Sequence, residues 1–150
     1  MRIVLQRVSA ASVKIDGVVK DQIGPGMLVF LGVEEGDTEA DAEWLVGKIS
    51  QLRIFDDEHG QMNLPVTEVN GKVLVVSQFT LHASTRKGNR PSYIRAAKPE
   101  EAIPLYEFFI KKLEDRLPDK IRSGVFGADM KVSLVNDGPV TIIIDSRLKE

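Results

Sequence analysis

The run Met27-Leu28-Val29-Phe30-Leu31-Gly32-Val33 follows the breaker Gly24-Pro25-Gly26, and its length and unbroken apolarity are those of a buried strand. Upstream, Ile3 to Ser9 and Ser12 to Val19 are rich in β-branched residues, and Asp16-Gly17 suits a tight hairpin turn. The chain therefore opens as an antiparallel meander. Downstream, Gly36-Asp37-Thr38 supplies an N-cap and Ala42, Leu45, Ile49 and Leu52 recur at helical spacing. This predicts a first helix over Thr38 to Leu52, with Trp44 flanking its buried stripe. A second helix is expected from about Pro99, which suits a first helical position, with Glu100 and Glu101 at the positive end of the helix dipole. Leu105, Phe109, Leu113 and Leu117 make its apolar face, and Pro104, which lacks an N–H, should bend or delay the first turns. Lys72 to Leu81 and Met130 to Asp145 read as further strands, the second interrupted at Asp137-Gly138-Pro139. Strands outnumber helices and do not alternate regularly with them. The expected fold is α+β, with largely antiparallel sheets in a barrel-like core and two main helices.

A chain of 150 residues can bury roughly 70% of the surface its unfolded form exposes, so no metal or disulfide is needed to hold it. No repeat, low-complexity tract or linker divides it, and residues 1–150 read as one domain. Hydrophobic residues make up 43% and charged residues 28%, as in a soluble globular protein. With no cysteine, disulfides, thiolate zinc sites and a cysteine nucleophile are excluded together. Gln6 and Arg7 interrupt the N-terminus before a signal peptide or membrane span could form, which makes the cytoplasm the default compartment. The net charge of -2 argues against a wholly basic nucleic-acid binder, yet Val69 to Pro99 contains no acid and carries Lys72, Arg86, Lys87, Arg90, Arg95 and Lys98. A polyanion would dock there, unless the segment is a solvated loop balanced by acids from elsewhere.

The common catalytic signatures GxGxxG, P-loop, HExxH and GxSxG are absent, and the histidines are His59 and His82 only. His59 lies in Asp56-Asp57-Glu58-His59-Gly60, a polar turn, so neither a metal nor a cofactor is expected. Attention falls on Ser77-Gln78-Phe79-Thr80-Leu81-His82, polar residues at the end of the apolar run Val73-Leu74-Val75-Val76. In a regular strand Gln78, Thr80 and His82 share one face, where Thr80 and His82 could meet, and Ser77, Phe79 and Leu81 share the other. The plainer alternative is a strand end in which Thr80 completes a ladder and Gln78 satisfies a backbone group. Asn136-Asp137-Gly138-Pro139 is first a turn signal, and its X-Pro bond can adopt either isomer.

Along nearly its whole length the chain resembles the bacterial D-aminoacyl-tRNA deacylases. The matching segments begin with Gln6-Arg7-Val8, Ala11-Ser12-Val13, Leu31-Gly32-Val33, Arg53-Ile54-Phe55 and Met62-Asn63-Leu64. They continue with Val75-Val76-Ser77-Gln78-Phe79-Thr80-Leu81, Arg90-Pro91-Ser92, Phe126-Gly127-Ala128-Asp129-Met130, Val132-Ser133-Leu134 and Asn136-Asp137-Gly138-Pro139-Val140-Thr141. The resemblance implies an editing hydrolase that cuts the ester between a D-amino acid, or glycine mischarged on tRNA-Ala, and the 3′ end of tRNA. It implies a homodimer with active sites at the subunit interface.

In that likeness Ser77, Gln78, Phe79 and Thr80 line the pocket of one subunit, and Gly138 and Pro139, joined in cis, reach in from the other to reject L-aminoacyl esters. Arg7 resembles the residue that braces the Gly-Pro pair, Phe79 one that supports the terminal adenosine, and Met130 one at the pocket wall. The resemblance further implies that the 2′-hydroxyl of the terminal ribose assists the chemistry while the protein supplies position and backbone donors. Thr80 then orients substrate or water and is not a nucleophile. Arg86, Lys87 and Arg90, in a glycine-containing loop, would contact tRNA phosphates. His82 departs from the family pattern. Two rival readings remain: a non-catalytic RNA-binding module that stacks bases on Phe79 or Tyr93, and a small-ester hydrolase that uses Thr80 with His82.

Overall fold

The computed structural model describes residues 1–149. The opening runs do not form separate short strands: β1 extends continuously over Arg2–Ile15. Asp16 and Gly17, at φ 50° and 77°, turn it into β2, Val18–Ile23. Two consecutive left-handed residues match the twist of a two-residue hairpin, which is why Asp-Gly stands there. β3 is Gly26–Gly32, and α1 is Glu39–Gln51. A small hairpin, β4 Phe55–Asp56 and β5 Met62–Leu64, precedes β6, Lys72–Ser77. A 3₁₀ turn over Phe79–His82 follows, then α2 over Pro99–Arg116, β7 over Ile121–Ser123 and β8 over Lys131–Asp145.

The architecture is α+β with a mixed sheet in the order β2-β1-β3-β6-β7, with β8 against β1. β1 pairs antiparallel with β2, β3 and β8, whereas β6 runs parallel to both β3 and β7. The expectation of largely antiparallel sheets thus holds, with β6 as the parallel exception. Parallel neighbours need long crossovers, and the two helices are those crossovers: α1 lies between β3 and β6, α2 between β6 and β7. The free edges of β2 and β7 approach each other, where Lys20 Nζ donates to the Ser123 carbonyl at 3.0 Å and the Ser123 N–H donates to Asp21 at 3.2 Å. The sheet is a nearly closed barrel.

Both faces of β3 and β6 are covered, so their sequences are continuously apolar and not alternating. Met27, Val29, Leu31, Val73 and Val75 join Leu45, Ile49, Phe109 and Leu113 in the core beneath the helices. Leu28, Leu74 and Val76 turn the other way, with Val8, Ala11 and Val13, into the barrel interior. β1 changes phase between those sets because two of its residues, Ser9 and Ala10, advance against one step of β8, Asn136 to Val135. That bulge moves the buried set from Ile3 and Leu5 to Ala11 and Val13.

In α1 the Asp41 carboxylate accepts from the Thr38 N–H at 2.9 Å and the Thr38 hydroxyl at 3.1 Å, which starts the helix at the expected residue. In α2 the buried stripe is Ala102, Tyr106, Phe109 and Leu113, so Leu105 falls to the flank, one residue out of phase with it. Pro104 neither delays nor breaks α2, which begins at Pro99; the ring sits on the exposed side, where water can satisfy the freed carbonyl.

Candidate active site

β6 stops at Ser77, four residues before the predicted Leu81, because the chain there leaves the ladder and tightens into the Phe79–His82 turn. The alternation expected for a strand therefore fails, and Thr80 and His82 do not share a face. The turn is fastened directly to the end of β3. The Gln78 N–H donates to the Leu31 carbonyl at 2.8 Å, His82 Nε2 to the Gly32 carbonyl at 3.0 Å, and Arg2 Nη1 to the Leu81 carbonyl at 2.9 Å. Gly32 is the residue that allows this approach: a Cβ there would lie 3.0 Å from the Gln78 carbonyl oxygen, from His82 Cδ2 and from Leu81 Cβ.

Above this joint opens a cavity of about 260 Å³ lined by Ser77, Gln78, Phe79 and Met130, with Val33, Ala97, Ala102 and the turn Phe126-Gly127-Ala128 closing it. Of the predicted pocket residues, Ser77, Gln78, Phe79 and Met130 are therefore gathered on one cavity; Thr80 does not line it and is tied to it through its hydroxyl, which accepts from Gln78 Nε2. Met130 immediately precedes β8 and packs against Gly124, where a Cβ would lie 2.5 Å from its sulfur. Beneath the cavity wall Tyr106 meets Phe126 edge-to-face at 5.8 Å. Burial pushes the Tyr106 phenol up to about 12, so it stays protonated. The acidic lining residue, Asp129, is engaged by Lys131 at 2.8 Å. No general base is bonded to Thr80 among the described residues, and what remains for chemistry is amide, hydroxyl and backbone N–H.

His82 is not at the cavity. It is 1% exposed, bonded through Nε2 to Gly32, with Nδ1 3.9 Å from Glu34 and otherwise without a partner. Burial holds its pKa below the ordinary value, against the opposing pull of the Gly32 carbonyl and of Glu34. Burial also raises the Glu34 carboxyl, but the Arg95 hydrogen bond at 2.8 Å and the charges of Arg147 and Arg95 outweigh it and leave Glu34 below its usual range. A Thr80-His82 pair is thus ruled out by where the ring points.

Gly138 and Pro139 stand elsewhere. β8 breaks register opposite Arg7: Thr141 faces Gln6 and Asn136 faces Val8, so Asp137 to Val140 loop out of the ladder. The Asn136 side chain closes that loop by accepting from the Val140 N–H at 2.9 Å. Arg7, 8% exposed, donates from Nε to the Asp137 carbonyl at 2.8 Å and from Nη1 to the Ile54 carbonyl at 2.7 Å, with Asp56 at 3.2 Å. The Gly138-Pro139 bond is cis, and both residues are exposed. They do not line the cavity of their own chain. Arg86, Lys87 and Arg90 are exposed in a loop clasped by reciprocal hydrogen bonds between Ser84 and Ser92, at 2.8 and 2.9 Å.

The motifs do not single out the lining residues Ala97, Ala102 and Phe126 to Ala128 for a role at the cavity. Their signal in the sequence is slight: small side chains and a positive-φ glycine, Gly127, beside residues already matched.

The model of the D-Tyr-tRNA(Tyr) deacylase family matches residues 4–145. Curated proteins named D-aminoacyl-tRNA deacylase from Akkermansia muciniphila and Bacteroides thetaiotaomicron are 63% and 61% identical over 150 residues, covering 100% of both chains. A solved structure titled c-Myc DNA Unwinding Element Binding Protein superposes with a TM-score of 0.92 at 41% identity, covering 97% of this chain and 98% of its own. With the match spanning both the cavity and the Gly138-Pro139 loop, the chain belongs to the D-Tyr-tRNA(Tyr) deacylase family.

Proposed function

We propose that the protein is a cytoplasmic editing hydrolase, one domain over residues 1–150, that cleaves the ester between a D-amino acid or glycine and the terminal ribose of tRNA. It works as a homodimer in which each cavity is completed by the Gly138-Pro139 loop of the other chain. Its family and its relatives' names support the reaction class, an ester hydrolysis. The observation that carries the rest is the separation of two built features within one chain. A cavity lined by Ser77, Gln78 and Phe79 lacks a wedge, and a braced wedge lacks a cavity. The outward residues of β8 include Val135 and Ile143, 59% and 68% exposed, an apolar face suited to a second copy.

In this reading water adds to the ester carbonyl and the bond to the 3′ oxygen breaks. The 2′-hydroxyl takes the proton of the water and gives its own to the departing oxygen. The chain holds the ester in place, and the Phe79 and Thr80 N–H groups, which lead the 3₁₀ turn and have no acceptor within it, face the developing oxyanion. Purified protein should hydrolyse D-Tyr-tRNA and leave the methyl ester of D-tyrosine intact, and light scattering should give a dimer at the assay concentration. Binding of tRNA without hydrolysis would make it an RNA-binding module. Turnover of the methyl ester would make it a simple esterase, and a fully active monomer would remove the shared site.

A further inference from the structure

Beside the cavity stands an aromatic pair that belongs to neither apolar core. Phe79 is 55% and Tyr93 39% exposed, with ring centroids 5.0 Å apart and planes at 73°. The edge-to-face contact fixes the two rings against each other while leaving aromatic surface open to solvent. Phe79 lines the cavity and Tyr93 does not, so the order outward is cavity, Phe79, Tyr93. Tyr93 directly follows Ser92, the residue that clasps Ser84 and closes the loop carrying Arg86, Lys87 and Arg90. The Tyr93 backbone is fixed as well, its carbonyl accepting from the Ala96 N–H at 3.0 Å. Val69 to Pro99 contains no acid, so nothing within this stretch repels a phosphate. Cavity, exposed ring and cationic loop are thus linked in order: Phe79 lines the cavity, Tyr93 packs on Phe79, and Tyr93 adjoins the clasp that closes the loop. Single-stranded nucleic acid is held by such a succession of stacking rings and cationic groove.

Resting on the reading above, we propose that Tyr93 is a stacking platform for the base next to the terminal adenosine. The 3′ end of tRNA then runs from the cavity, over the Phe79-Tyr93 pair, to the cations of the 84–92 loop. Stacking uses the face of a base and not its hydrogen-bonding edge, so this contact serves every tRNA alike. It gives the enzyme a hold on its substrate that is independent of the amino acid being judged.

The test compares wild type with Tyr93→Ala and Tyr93→Trp on D-alanyl-adenosine, on a D-alanyl-CCA trinucleotide and on D-alanyl-tRNA. Tyr93→Ala should cleave the nucleoside ester as wild type does and lose about tenfold in kcat/KM on the trinucleotide and on tRNA, mainly through KM. Tyr93→Trp should behave as wild type throughout. Titration of adenosine and of uncharged CCA gives the same comparison without turnover: the alanine variant should weaken binding of CCA only. An equal loss on the nucleoside ester would mean that Tyr93 merely props Phe79, and a loss confined to tRNA, or no loss at all, would also overturn the proposal. Wild-type protein that cleaves none of the three would instead remove the functional reading itself.

Discussion

Thr80 is the residue at which the absence of a base matters most. Its hydroxyl is held by the Gln78 amide, and His82, the nearest candidate base in sequence, is buried against Gly32. A threonine without a base is a poor nucleophile, whereas a held hydroxyl positions a water or an ester well. Thr80→Ala should therefore keep measurable deacylation, reduced about tenfold, while an ester on a 2′-deoxy terminal adenosine should fall much further. Single-turnover assays check both, and an acyl group trapped on Thr80 would refute the expectation. That Ser77, Gln78, Phe79 and Met130 would line one cavity is legible in the sequence through matched motifs. Their relation is not: alternation along a strand puts Thr80 beside His82, because nothing in Ser77-Gln78-Phe79-Thr80 announces that β6 ends at Ser77. What ends it is the fit of the turn onto Gly32, a contact between residues far apart in the chain.

At the scale of elements, the 3₁₀ turn and the 84–92 loop behave as separate devices. The turn is locked by a neutral His82 whose pKa burial holds below 6.5. The unfolded chain takes up a proton as pH falls through that value and the folded chain does not, so stability declines from about pH 6.5 downward until the folded pKa is reached. Urea midpoints should show this decline in the wild type, by at most about 1.4 kcal/mol per pH unit, and less of it in His82→Gln. Equal slopes in the two proteins would contradict the buried neutral ring. A second loss, common to both proteins, is expected below about pH 4, where the unfolded chain protonates Glu34, Asp41 and Asp145 while the folded chain still holds them ionised. These carboxyls lie below their ordinary values because hydrogen bonds and cations outweigh burial. Under the proposed function the 84–92 loop acts through charge. Replacing Arg86, Lys87 and Arg90 together by alanine should weaken tRNA binding and flatten its salt dependence, by a slope of about one per lost contact at most. An unchanged slope would return it to a solvated loop. Helix limits are legible in the sequence because caps and periodicity are local, as Thr38 and the α1 stripe demonstrate. The parallel pairing of β6 is not, because an apolar run buried on both faces carries no mark of its neighbours' direction.

For the whole molecule, the decisive arrangement is that the Gly138-Pro139 loop and the cavity of one chain lie apart; under the proposed function, substrate choice is then a property of the dimer. The Gly138-Pro139 loop is held by Arg7 and Asn136 and offers backbone and a proline ring, not a set of contacts shaped to one side chain. Gly138 is also crowded: a Cβ there would lie 2.8 Å from Val140 Cγ2 and 3.3 Å from Arg7 Nη2, so only glycine lets the loop fold this tightly beneath Arg7. A rigid backbone wedge can meet the α-amino group common to all substrates while filling the volume an L side chain would need. Selection by clash then needs no pocket tailored to each D residue, and D-amino acids of different size should all be accepted. Glycine, with no side chain to clash, must pass the same test. The expected outcome is that D-Ala-tRNA, D-Tyr-tRNA and Gly-tRNA are all cleaved while L-Ala-tRNA is spared by at least two orders of magnitude in kcat/KM, about 2.7 kcal/mol of transition-state discrimination. Parallel deacylation assays under one set of conditions measure this directly. Cleavage of both D esters with Gly-tRNA left intact would mean that the site grips the D side chain, and exclusion by the wedge would have to be abandoned.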